Sequence, residues 1–189
     1  MLAKLSSTAS VMLFVAGILH AQSGTLIEYP DCPTDKKLGW DMCFGKHESS
    51  DGEYRYIGQW ENNKPHGVGE IFYSDGDSYE GEFSNGFSHG EGIYTFSYGD
   101  QYIGEFVNDL FQGFGTYTFA DGTFYEGDFF NDEFHGQGKF VWKNDVRIGD
   151  VYTGEFKNNK RTGNGEYTFA KTIRGQIRRV LYACCGLMG

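Results

Sequence analysis

A five-residue signature returns at a fixed interval along this chain and restricts what it can fold into. Tyr56-x-Gly58-x-Trp60 recurs as Tyr79-x-Gly81-x-Phe83, Tyr102-x-Gly104-x-Phe106 and Tyr125-x-Gly127-x-Phe129, each 23 residues after the last. Tyr152-x-Gly154-x-Phe156 follows after 27, so four extra residues lie within Lys143 to Val151. A period of this size means one small unit copied in tandem, each copy stable only against its neighbours.

Inside each copy the pattern alternates with period two. One face of a strand therefore carries an aromatic ring, a bare backbone and a second ring. A second alternating stretch follows: Gly69-Ile71-Tyr73, Gly92-Tyr94-Phe96, Gly115-Tyr117-Phe119, Gly138-Phe140-Trp142 and Gly165-Tyr167-Phe169. β-Branched and aromatic residues suit a pleated surface, and each glycine leaves room for a neighbouring ring. Asn, Asp and Gly concentrate between the two stretches, at 62–67, 84–90, 108–113, 131–136 and 158–163, and mark turns. Asp75-Gly76, Tyr98-Gly99 and Asp121-Gly122 join one copy to the next. The reading is a β-hairpin per copy. One hairpin is marginal in water, and stacking buries its aromatic face.

These residues resemble the MORN (membrane occupation and recognition nexus) repeat. Its pattern, Y-x-G-x-[W/F], a short turn and then H-G-x-G, is met by Tyr56, Gly58, Trp60, His66, Gly67 and Gly69, and again by Tyr79, Gly81, Phe83, His89, Gly90 and Gly92. Gly113 and Gly115, Gly136 and Gly138, and Gly163 and Gly165 supply the glycine pair in the later copies, with Gln112 and Thr162 in place of the histidine in the third and fifth. The resemblance covers Tyr56 to Phe169, 114 of 189 residues. It implies an all-β fold, an elongated single-layer array of tandem β-hairpins roughly 50 Å long. The open edges of such an array are sites for partners or self-association. Proteins of this kind use their arrays for protein–protein contact and assembly, sometimes near membranes.

The flanks divide the rest into a signal peptide (1–21), a lead-in segment with an N-terminal cap (22–55), the array (56–170) and a basic tail (171–189). Lys4 precedes an apolar run from Val11 to Leu19, and Leu19-His20-Ala21 offers a cleavage site before Gln22. The run is shorter than the ~20 apolar residues that span a bilayer. Export, to a periplasm or the extracellular space, would place the chain where cysteines pair, so Cys32 and Cys43 are expected to form a disulfide. Gly45 and Asp51-Gly52 match Gly69 and Asp75-Gly76 at an offset of 24, which makes Cys43 to Gly52 the second half of a degenerate copy. His47 and Ser49 stand where the next copy has Ile71 and Tyr73; a terminal cap needs such polarity.

Of 16 Lys and Arg, Lys171, Arg174, Arg178 and Arg179 fall in the tail, which has no acid, while all 26 Asp and Glu lie between Gln22 and Ala170. The acidic array argues against nucleic acid, whose phosphates need basic patches. Ile173, Ile177, Val180 and Leu181 are spaced for one face of a short C-terminal helix. Three readings follow: a basic helix on an anionic membrane, a helix capping the last hairpin, or a frayed terminus. Cys184 and Cys185 are adjacent, a strained geometry for pairing with each other.

Sites for chemistry are sparse. No nucleophile elbow, phosphate loop, metalloprotease helix or zinc spacing appears, and no cofactor is implied. Glu82, Glu105, Asp128 and Glu155 recur in register, the mark of a solvated face rather than a catalytic pair. His66, His89 and His135 recur at one turn position, but successive copies stand about 10 Å apart, too far for shared metal ligation. MORN arrays occur beside lipid-kinase and methyltransferase domains, yet only 20 residues follow the array here, too few for a catalytic domain. The expectation is a non-enzymatic scaffold for a protein partner. The alternative is an anionic-lipid binder using the tail with Lys64, Lys160 and Arg161.

Overall fold

In a computed structural model, residues 29–35, 38–143, 148–173 and 176–184 are described, the segments from 171 onward as backbone only. The signal-peptide reading, the start near Gln22, Arg174 and Cys185 lie outside these residues. The described residues form twelve strands: β1 (Cys43–Glu48), β2 (Tyr54–Glu61), β3 (Lys64–Tyr73), β4 (Ser78–Ser84), β5 (Phe87–Thr95), β6 (Gln101–Val107), β7 (Leu110–Thr118), β8 (Phe124–Phe130), β9 (Glu133–Val141), β10 (Val151–Lys157), β11 (Lys160–Ile173) and β12 (Gln176–Cys184). They lie in one antiparallel sheet in chain order, as the hairpin array requires. With strands about 4.8 Å apart the sheet is roughly 50 Å long.

The hairpin turns are tighter than the composition suggests. Asn62-Asn63, Asn85-Gly86, Asn108-Asp109, Asn131-Asp132 and Asn158-Asn159 all have positive φ at both residues, between 49° and 94°. That is the two-residue turn whose twist matches the strands it joins. Residues such as Lys64 to Gly67, grouped with the turn from composition alone, already belong to β3. Their glycine serves a different purpose. In β5 the pairing with β4 jumps from Gly81↔Gly92 to Glu82↔His89, leaving Gly90 and Glu91 as a bulge. Gly90 sits there at φ 61°, where a side chain is strained. The four extra residues are absorbed in the connection after β9. Trp142 N–H still donates to Asp150 and Gly149 N–H to Trp142, and Phe140 still faces Tyr152.

The N-terminal cap takes the expected place. β1 pairs with β2 as Gly45↔Gly58 and His47↔Tyr56, copying Gly69↔Gly81 and Ile71↔Tyr79 in the next pair. The Cys32–Cys43 disulfide forms, with Cys32 N–H donating to Phe44 O and Phe44 N–H donating to Pro30 O. Trp40 then packs edge-on against Trp60, ring centroids 4.7 Å apart, and closes the aromatic face at this end.

The tail departs from expectation. Among the described residues no helix forms there: β11 runs on through Lys171, and β12 pairs with it from Ile173↔Gln176 to Gly165↔Cys184. Helical spacing of four apolar residues was a weak signal. Thr172, Ile173, Ile177 and Val180 are β-branched and Gly175 interrupts the run, so helix propensity is low. A strand also satisfies the backbone of β11 that a helix would leave open. The array is therefore closed at this end by a strand, and the break at residue 170 is not a break in the sheet.

Candidate interaction surfaces

The front face of the sheet is built around a column of buried tyrosines. Tyr56, Tyr79, Tyr102, Tyr125 and Tyr152 each lie over the glycine pair of their own hairpin. A Cβ on Gly81 would sit 2.6 Å from the Tyr79 hydroxyl and 2.6 Å from Gly92 Cα, so both glycines are cut to the ring. The hydroxyl reaches the bulge, where two carbonyls share its one hydrogen: Glu82 O at 2.7 Å and His89 O at 3.3 Å for Tyr79, Asp128 O at 2.9 Å and His135 O at 3.0 Å for Tyr125. Burial pushes these phenols well above the usual tyrosine range, so they stay neutral donors. Each ring meets the next copy edge-on, as in Tyr56–Phe83 at 5.0 Å and Tyr79–Phe106 at 4.8 Å. The signature residues of all five copies, through Tyr152, Gly154, Phe156, Gly163 and Gly165, thus make a core and not a ligand site.

Two further staples join successive hairpins, and the sequence reading missed both. Asp77, Asp100 and Asp150 each accept the hydroxyl of the tyrosine 17 residues on, Tyr94 (2.7 Å), Tyr117 (2.6 Å) and Tyr167 (3.0 Å). Their other oxygen accepts the N–H of Ser97, Ala120 or Ala170. Burial would raise the Asp77 carboxyl, but the Ser97 N–H and Tyr94 hydroxyl outweigh it and hold Asp77 below the usual range. The fourth copy has Phe140 in place of tyrosine, and Thr123 replaces the aspartate; its hydroxyl still accepts Lys143 N–H at 3.1 Å. At the turns, Asn63, Asp109, Asp132 and Asn159 accept the N–H of Trp40, Ser88, Phe111 and Phe134. The remaining turn has Gly86, without an acceptor, opposite Pro65, without a donor; only Gly86 N–H to Pro65 O remains. Both couplings leave a sequence signal: two residues that change together at a fixed offset.

The recurring polar groups are accounted for the same way. Gln59, Asp128 and Glu155 each accept the bulge N–H nine residues on, from Val68, Gln137 and Asn164. His66 pairs with Glu61 at 3.0 Å, and the His135 ring lies 5.7 Å from Phe130. Among the described residues no three His, Cys, Asp or Glu are grouped to hold a metal.

Among the described residues one row of rings stays partly uncovered. Beside the tyrosine column runs a row of rings, Tyr73, Tyr94, Phe96, Tyr117, Phe119, Phe140, Trp142, Tyr167 and Phe169, all partly exposed except the buried Tyr167, with successive centroids between 4.3 and 6.4 Å apart. Tyr98 stacks outside it, 5.2 Å from Phe96 and 63% exposed, and Phe169 ends it at 43%. The expected basic set does not assemble. Lys64 starts β3 and Lys160 starts β11, eight strands or roughly 38 Å apart. Arg161 lies over Tyr152, Trp142 and Tyr167 at 5.4–5.7 Å, and Lys171 faces Arg178 across β11 and β12.

A family model described as the MORN repeat matches residues 56–78, 79–101, 102–124, 125–147 and 152–172, more than half of the chain. No curated protein matches it. MORN repeats are generally involved in protein and membrane interactions and are typically non-enzymatic. With five consecutive copies, each built on the tyrosine, glycine pair and bulge described above, the chain belongs to the MORN repeat family.

Proposed function

We propose that this chain is an exported, non-catalytic scaffold that binds a protein partner through the front of its sheet. The observation that carries the reading is the aromatic row from Tyr73 to Phe169 with Tyr98 beside it. These rings are held rigidly by their neighbours yet only partly covered, the condition under which aromatic side chains anchor an interface. The repeated carboxylates and amides are engaged in holding bulges and turns, which supports a structural rather than a catalytic use. The Cys32–Cys43 disulfide suits an oxidising compartment and supports export. Among the described residues no helix is long and apolar enough to cross a membrane. The lipid alternative is supported less, since the described tail residues form a strand and Lys64 stands far from Lys160 and Arg161.

The test is cross-linked affinity capture from the producing cell, comparing the full chain with the Tyr98→Ser/Phe169→Ser variant, alongside sedimentation with anionic vesicles. The reading expects at least one partner protein retained by the wild type and lost by the variant. Captures identical for both proteins, or vesicle binding with no row-dependent partner, would refute it.

A further inference from the structure

The sheet is one layer, and among the described residues nothing forms a second layer over the face opposite the tyrosine column. Its centre is apolar. Tyr102 and Tyr125 point to the buried front, so Ile103 and Val107 on β6 and Phe130 on β8 point to the back. Leu110 faces Val107 across the turn, and Phe114 faces Asp128. Phe114 and Phe130 are 57% and 54% exposed. Five large apolar side chains on one face of three adjacent strands, more than a third exposed and set among acids, mark a place where something docks.

Strands β5 to β8 carry acids and no Lys or Arg, with Lys139 on β9 across from Glu126 at their border. Glu91 lies directly across from Glu105, Val68 from Glu82, and Phe114 from Asp128. Like charges opposite one another destabilise a sheet. Glu91 registers that cost: burial first, then Glu105 and Glu82, hold its carboxyl above the usual range. Neither ion pair formed among the described residues, Lys46–Glu48 or His66–Glu61, draws on these carboxylates. A second copy docking by the same face would set Glu91, Glu105 and Asp128 against their equivalents. An anionic membrane would meet the same repulsion.

We propose that the back face of β5 to β8 is a docking site for a partner segment bearing alternate apolar and Lys or Arg side chains. The apolar side chains would cover Ile103, Phe114 and Phe130, and the cations would neutralise Glu91, Glu105 and Asp128. This site is on the opposite face from the aromatic row and stands independently of it.

The probe is a labelled synthetic peptide of alternating Leu and Lys, with an alternating Leu and Glu peptide as its counterpart, titrated by fluorescence anisotropy against the full, oxidised chain at low and high salt. The site predicts that the Leu-Lys peptide binds, that salt weakens it, and that the Leu-Glu peptide does not bind. Glu91→Gln/Glu105→Gln and Phe114→Thr/Phe130→Thr should each weaken binding about tenfold or more, while Tyr98→Ser leaves it unchanged. The Glu→Gln pair should melt no lower than the wild type, because it removes a repulsion, so lost binding there is not lost folding. No binding by the wild type, equal binding of both peptides, or binding indifferent to both back-face variants would overturn the proposal. So would a concentration-dependent dimer abolished by Phe114→Thr/Phe130→Thr, which would assign the face to a second copy.

Discussion

Replacing Tyr117 by Phe removes one hydroxyl and changes no shape, so its cost isolates the staple between the third and fourth strand pairs. Asp100 is 8% exposed and its carboxylate accepts twice, from Tyr117 at 2.6 Å and from Ala120 N–H at 2.9 Å. Without the hydroxyl one buried carboxylate oxygen has no donor. A hydrogen bond to a charged group is worth about 1.5–3 kcal/mol, so Tyr117→Phe should cost about 2 kcal/mol. Asp100→Thr alone should cost a similar amount, since Thr keeps the Ala120 N–H but takes the carboxylate away from the phenol, which retains only Tyr98 as a side-chain partner. The double variant reproduces the Thr123 and Phe140 pair that the chain already carries one copy later. It should therefore cost less than the sum of the singles by about 1–2 kcal/mol. Urea denaturation of the four proteins measures the cycle, and thermal melts should move by about 2–4 °C per kcal/mol for a chain of this size. Additivity within about 0.5 kcal/mol, or a neutral Tyr117→Phe, would refute the claim that the two positions are coupled.

Four further outcomes follow from the same structure. Gly104→Ala would place a methyl 2.6 Å from the Tyr102 hydroxyl and 2.7 Å from Gly115 Cα; denaturation should show a loss of about 3 kcal/mol or more, or no folded protein. Tyr79→Phe removes the one hydroxyl hydrogen that the Glu82 and His89 carbonyls share and should lower stability by about 1–2 kcal/mol, against no loss if water replaces the hydroxyl. Because Asp77 titrates below its unfolded value, its contribution is complete above the unfolded pKa of about 3.9 and is lost as pH falls through the lower folded value; acid denaturation of Asp77→Asn should show a shallower loss over that interval. Reduction of Cys32–Cys43, with 11 residues of separation, should destabilise the cap by about 2–4 kcal/mol and shift the fluorescence of the Trp40–Trp60 pair.

Most of the fold was legible because its determinants repeat. Tyr79, Gly81 and Gly92 announce a strand pair and a ring over bare backbone, and the same spacing elsewhere removes the ambiguity of any single copy. The cap was legible for the same reason, since Gly45 keeps the glycine position of a missing hairpin. The tail was not, because Ile173 to Leu181 occurs once and fits a helix or a strand until the open backbone of β11 is considered. The bulge was hidden because Gly67 and its equivalents look like turn residues; only pairing distinguishes a positive-φ glycine in a ladder from one in a loop. Which rings of the aromatic stripe stay uncovered was not legible either. Phe96, Phe119 and Phe169 carry the same pattern as the buried Tyr79 and Phe83, and exposure depends on the neighbouring copies, which pattern does not report. Asp100 with Tyr117 and Thr123 with Phe140 were readable as a changing pair, given the idea of looking for one.

The claim that protein partners meet the front of this sheet is tested most directly by hydroxyl-radical footprinting of the full chain, alone and in the complex recovered by capture. The account predicts protection of Tyr98, Phe119 and Phe169 on complex formation, with Lys64 and Lys160 unchanged. Protection at Lys64, Lys160 and the tail, reproduced by anionic vesicles without any partner protein, would contradict it.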